Sequence, residues 1–150
     1  MPDDNYLLVR RIMLATNKID GVYSLFGKLH RANENTLAFL YALSDRMPHS
    51  QKEISDEWLI PRTTINSIVK TMLSEGYVVF SPEPRGKEKT LTLTEKGQDY
   101  ADALFADIYT AEEQAILATL RRYPPEFVAA LEHFGDALYE EFLNTSTPKE

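Results

Sequence analysis

The sequence predicts a mainly α-helical fold with one small β-hairpin, an α+β arrangement. Three observations predict it. Apolar residues recur at helical spacing over most of the chain; two short helix-length segments, separated by Leu59-Ile60-Pro61, stand between longer ones; and the period changes from 3.6 to 2 only once, between Tyr77 and Leu93.

From Tyr6 to about Leu29, Leu8, Ile12, Ala15, Ile19, Val22 and Phe26 mark one long helix, with Gly21 as a point of loosening. A second helix runs from about Ala32 to Asp45, striped by Leu37, Leu40 and Tyr41 with Phe39 beside them, and Met47-Pro48 ends it. Ser50-Gln51-Lys52-Glu53 has the form of a capping box, in which a serine side chain and a glutamate three residues on satisfy each other's backbone donors, and opens a helix through Trp58. Leu59-Ile60 is a turn, and Pro61 suits the first position of a helix reaching about Glu75. Tyr77–Phe80 and Lys89–Leu93 read as paired strands around a charged, turn-rich loop, Ser81–Glu88. Thr94 is the N-cap of a helix to about Tyr109, and Thr110-Ala111-Glu112-Glu113, a second capping box, starts another through Arg122. After Pro124-Pro125 a last helix carries Phe127, Leu131, Phe134, Leu138 and Phe142 on one stripe, and residues 144–150 read as frayed.

The chain has 150 residues, a one-domain length, and 43% hydrophobic with 26% charged residues excludes disorder, collagen and coiled-coil rods. It has no cysteine, so disulfides, thiolate metal sites and a cysteine nucleophile are excluded. No apolar run approaches the roughly 20 residues of a membrane span, and Met1-Pro2-Asp3-Asp4 is acidic where a secretion signal is basic. The expectation is a soluble, cytoplasmic protein without a membrane partner.

A net charge of −7 argues at first against nucleic acid, but the charge is uneven. Residues 1–45 are neutral, residues 46–97 carry eight basic against seven acidic side chains, and residues 98–150 carry three basic against eleven acidic. The acidity belongs to the last third, and the middle is free to present a basic face.

Helix, short helix, tight turn, helix, hairpin is the order of a winged helix-turn-helix. In the helix after the turn, Ile65, Ile68, Val69 and Met72 fall on one face, and the opposite face holds Arg62, Thr63, Asn66, Ser67 and Lys70. No carboxylate occurs between Pro61 and Glu75. A helix laid in a major groove needs that combination: donors for base edges and phosphates, no anion, and an apolar back. In the hairpin, Arg85, Lys87 and Lys89 surround Gly86, giving a basic tip able to reach the backbone or minor groove. The same residues are also compatible with a solvated helix and a solubilising loop in which Glu83 and Glu88 pair with the bases; the conjunction of turn, helix and hairpin favours DNA.

The stretch Ser50 to Gly97, with "QKEISDEW", "IPRTTINSIVKTMLSEGYV" and "LTLTEKG", resembles the MarR family of winged-helix transcriptional regulators, and the flanking helices fit that family's layout. The resemblance implies a single domain over 1–150, with a DNA-binding lobe over 32–97 and helical dimerisation regions over 1–31 and 98–150. It implies a homodimer whose lobes address successive major grooves of a pseudo-palindromic operator in double-stranded DNA, most simply as a repressor. Arg62, Thr63, Asn66 and Ser67 would meet base edges; Lys70, Arg85, Lys87 and Lys89 would meet phosphates. The wing departs from the family: its Asp-x-Arg falls on Arg85-Gly86-Lys87, so the aspartate-to-arginine clasp is absent.

The stripe Phe127, Leu131, Phe134, Leu138 and Phe142 marks a dimer interface or packs on the first helix of its own chain, and the resemblance implies that the terminal helices do both. Many relatives release DNA on binding a small aromatic acid or phenol in a crevice beside the first long helix, where Tyr23, Phe26 and His30 fall; by spacing alone, these three also read as core. No cofactor, metal or enzymatic activity is expected: His30, His49 and His133 are scattered, and no phosphate loop, nucleophile elbow or carboxylate dyad occurs. The competing expectation is a winged helix used for protein–protein contact with DNA binding lost, motivated by the altered wing and the net charge.

Overall fold

The computed structural model describes residues 3–146 as six helices and a three-stranded sheet. Met1 and Pro2, part of the acidic start noted above, and residues 147–150 of the expected frayed end lie outside the described residues. By contact density the chain forms two units, one ending at Ala106 and the other beginning at Asp107.

In the first unit, α1 (Asp4–Leu29) starts at Asp3, whose carboxylate accepts the Tyr6 N–H at 2.7 Å, and runs unbroken through Gly21. The next helix, α2 (Glu34–Leu43), is shorter than expected because Asn33 caps it, accepting from the N–H groups of Asn35 and Thr36. It buries Leu37, Phe39, Leu40, Ala42 and Leu43, more than one face, as a helix surrounded by others must. The helices Gln51–Trp58 and Arg62–Ser74 and the strand Thr90–Leu93 pack against it, and Tyr41 meets Phe105 edge-on; Ile54, Ile65, Leu91 and Phe105 are all essentially solvent-free.

A strand that the sequence did not suggest, β1 (His49–Ser50), follows Pro48 and leads into α3 (Gln51–Trp58). The predicted capping box is present in full: Ser50 Oγ accepts the Glu53 N–H and Glu53 Oε2 accepts the Ser50 N–H. Leu59 makes the turn in the left-handed region, at φ 51°, and the Ser55 hydroxyl donates to the Ile60 carbonyl at 2.6 Å. Pro61 is the N-cap of α4 (Arg62–Ser74), so the helix begins one residue later than expected, and Ile65, Ile68, Val69 and Met72 form its buried side as predicted. The hairpin strands are β2 (Val78–Phe80) and β3 (Thr90–Leu93). They pair antiparallel with Val78 opposite Leu93, and β1 adds to the other edge of β3 with His49 opposite Leu91, giving the order β1-β3-β2.

After β3, Thr94 caps α5 (Glu95–Leu120), its hydroxyl accepting the Gly97 N–H at 3.0 Å. This helix corrects the expected break at Thr110. Thr-x-x-Glu starts a helix only when its first residue is extended and the preceding turn has ended. Here neither glycine nor proline stands between Gln98 and Arg122, six alanines in that interval favour helix, and the chain continues helical through Thr110.

In the second unit, the last part of α5 turns at Pro124-Pro125 into α6 (Glu126–Ser146). The Thr119 carbonyl accepts from Arg122 and Tyr123, closing α5. Helix α6 extends to Ser146, so fraying does not begin at Asn144. No residue of α6 is buried, and Val128, Leu131, Leu138, Tyr139, Phe142 and Leu143 are exposed.

Candidate nucleic-acid interface

All five predicted residues of the α4 surface, Arg62, Thr63, Asn66, Ser67 and Lys70, are exposed, while Ile65, Ile68 and Val69 between them are buried. Arg62, Asn66 and Lys70 follow at intervals of four, so they form one ridge along the helix. Pro61 provides no side-chain cap, and the first turn of α4 holds no acid. The backbone N–H groups at that end, with the partial positive charge of a helix start, therefore have no side-chain cap beside Arg62 and Thr63.

Arg62 and Asn66 of this ridge, with Ile65 between them, form one wall of an open cleft of about 480 Å³. Gln51 and Lys52 at the start of α3 form a second side, and Phe80, Glu88 and Lys89 of the hairpin form the third. Lys89 is held with its ammonium 5.3 Å from the centre of the Phe80 ring. Lys52 pairs with Asp56 at 3.2 Å, one turn along α3. Gln51, Lys52 and Phe80 were not singled out from the sequence. Their place in the cleft depends on β1 setting the start of α3 beside β3, which no local pattern signals.

At the hairpin tip, Arg85 and Glu88 exchange both backbone hydrogen bonds, at 3.2 and 3.1 Å. Between them Gly86 has φ 62° and Lys87 does not have positive φ, the signature of a type II′ turn, which requires glycine at its first central position. Lys87 is thereby presented at the apex, exposed like Lys89. Arg85 is placed differently. Its guanidinium donates to Glu53 Oε1 at 2.8 Å, 32 residues away in the chain.

Glu53 thus has both oxygens engaged, and its carboxyl is held below the ordinary 4.5, first by the Ser50 backbone N–H, then by the Arg85 hydrogen bond and charge, with a further contribution from His49; partial burial opposes them. The fold therefore favours the ionised form. That stabilisation is fully present above the unfolded value near 4.5 and is lost as pH falls through the lower folded value. Stability of the wild type should fall more steeply than that of Glu53→Gln as the pH drops below about 4.5, measured by urea denaturation across an acid series; parallel curves would contradict the assignment.

Of the three residues placed beside a ligand crevice, one is buried and two are exposed. Phe26 is buried, stacked on Phe105 with ring centres 6.0 Å apart, and belongs to the core of the first unit. Tyr23 meets Tyr41 edge-on at 6.4 Å, and His30 lies 4.4 Å from Phe26. Phe26 serves packing because it is on the inward stripe of α1, whereas Tyr23 and His30 remain exposed. Among the described residues no group of histidines and carboxylates has the arrangement of a metal site, and no helix is long and apolar enough to cross a membrane.

Comparison with known proteins bears directly on this arrangement. The MarR family model matches residues 33–87, from the cap of α2 to the apex of the hairpin. Over these residues the chain is similar to the MarR family. No curated protein was found to match the sequence. Among solved structures, a MarR family regulator from Neisseria meningitidis has 22% identity and a TM-score of 0.68, covering 92% of this chain and 95% of its own. The transcription regulator MarR from Oenococcus oeni PSU-1 has 18% identity and a TM-score of 0.63, covering 89% and 98%. Overoxidized AbfR bound to DNA has 17% identity and a TM-score of 0.55, covering 93% and 98%. These likenesses extend the MarR winged-helix fold over nearly the whole chain, the flanking helices included.

Proposed function

We propose that the protein is a sequence-specific, dimeric DNA-binding regulator that represses by occupying a pseudo-palindromic operator. The observation that carries this reading is the exposed ridge of α4: five donor side chains, no carboxylate, an uncapped positive helix end, and an apolar back fixed in the core. Arg62, Thr63, Asn66 and Ser67 are assigned to base edges, Lys70, Lys87 and Lys89 to phosphates. AbfR, a protein of the same fold, has been solved bound to DNA, which supports a DNA-binding reading. Pairing is assigned to residues 1–31 and 98–150. Support comes from apolar side chains left in solvent on α1, such as Leu8, Leu14 and Leu25, and on α6, such as Leu131, Leu138 and Phe142. Such a regulator acts in the cytoplasm, where its operator is.

A gel-shift assay on mixed genomic DNA at low salt tests the reading, and salt-dependent retention is expected. A protein-interaction module would show no such retention. Within the DNA reading, Asn66→Ala should cost about 1–3 kcal/mol on the preferred site and relax preference at one base pair. An equal loss on all sequences would place Asn66 on phosphate.

A further inference from the structure

We propose that Glu53 and Arg85 form a latch that fixes the wing against the start of α3, so that Arg85 is a positioning residue for the wing and not a phosphate contact. The proposal rests on the DNA-binding reading for its consequences but not for its geometry.

The latch takes the place of the clasp that the wing sequence lacks. Glu53 is oriented before Arg85 meets it: its Oε2 is bonded to the Ser50 N–H at 2.8 Å, and Ser50 is itself paired with Thr90 of β3. The remaining oxygen, Oε1, is where the Arg85 guanidinium sits. Arg85 in turn occupies the last paired position before the turn, so holding it fixes the direction of Lys87 two residues further on.

The wing needs such a tie. Between the pair Phe80–Leu91 and the pair Arg85–Glu88, one arm has four residues and the other two, and the longer arm contains Pro82 and Pro84. Prolines cannot donate to a ladder. The outer half is joined to the sheet by two bonds, Ser81 N–H to the Thr90 carbonyl at 2.8 Å and the Thr90 hydroxyl to the Glu83 carbonyl at 2.6 Å. A charge-assisted bond from Arg85 to a backbone-fixed carboxylate supplies the constraint at the far end. It also cancels the arginine charge locally, so Arg85 holds few counterions for DNA to displace and Lys87 is left as the cation at the apex.

The test uses Glu53→Gln, which retains an oxygen to accept from Ser50, together with Arg85→Gln, the double variant and Arg85→Lys. The chain has no cysteine, so a nitroxide on Lys87→Cys reports wing mobility without DNA. The latch predicts a more mobile label in each single Gln variant, no further gain in the double variant, and recovery with Arg85→Lys. With DNA, Arg85→Gln should weaken binding about two- to five-fold with an unchanged dependence on salt, whereas Lys87→Ala should lower the salt slope by about 0.9 per subunit. A label equally mobile in all variants would overturn the latch, and so would a salt slope that falls with Arg85→Gln as it does with Lys87→Ala. Failure of the wild type to retain DNA would instead defeat the regulator reading, while the label still decides the latch.

Discussion

Replacing Gly97 by alanine should destabilise the protein by about 3 kcal/mol or more and lower its melting temperature by roughly 6–12 °C. A Cβ at Gly97 would lie 1.9 Å from the Tyr77 carbonyl oxygen and 2.8 Å from its carbonyl carbon, whereas ordinary contact begins near 3.4 Å. The obstacle is backbone, which cannot rotate aside like the end of a side chain. Four bonds hold the junction in place: Thr94 N–H to the Tyr77 carbonyl, the Thr94 hydroxyl to the Gly76 carbonyl, the Lys96 ammonium to the Glu75 carbonyl, and Gly97 N–H to the Thr94 hydroxyl. Separating α5 from Tyr77 to admit a methyl group strains or breaks them together. Since Thr94 directly follows β3, the wing shifts as well. Thermal denaturation followed by circular dichroism checks this; a variant melting within about 2 °C of wild type would show that the approach relaxes at little cost.

Replacing Leu138 by glutamate should convert the proposed dimer to a monomer and weaken operator binding by a factor of about 100 or more, as two linked lobes become one. Leu138 is 50% exposed and Phe142 62% exposed on α6, with Leu131 seven residues before Leu138 on the same stripe. In the proposed pairing these side chains leave water, and a buried carboxylate without a partner is strongly disfavoured. The substitution removes little packing within the chain, so loss of the dimer is separable from loss of the fold. Sedimentation velocity should show the monomer mass; a persistent dimer would move the interface away from α6.

What the sequence disclosed and what it hid divide along range. The apolar back of α4 was readable because Ile65, Ile68, Val69 and Met72 carry the helical period themselves, and the exposed face then follows by exclusion. The Ser50–Glu53 box was readable because both partners lie within one turn. Thr110 has the same spelling, yet lies inside α5, because a capping box depends on whether the preceding turn has ended and not on its four residues alone. The strand β1 is only two residues long and is defined by pairing with Thr90 and Leu91, some forty residues away. Arg85 shows the limit most clearly. Nearby Glu83 and Glu88 were the partners the sequence offered, but Glu88 takes its backbone and Glu53 its guanidinium. Phe26 reads from the sequence as either pocket or core, and the fold buries it against Phe105, a neighbour 79 residues away that no local pattern signals.

The central claim is that the outward ridge of α4, doubled by pairing of two chains, reads one DNA duplex. Selection of bound sites from random DNA addresses it most directly. The account predicts enrichment of an inverted repeat whose half-site centres lie about 10–10.5 base pairs apart. Enrichment of a single, non-repeated motif, or of no motif, would contradict it.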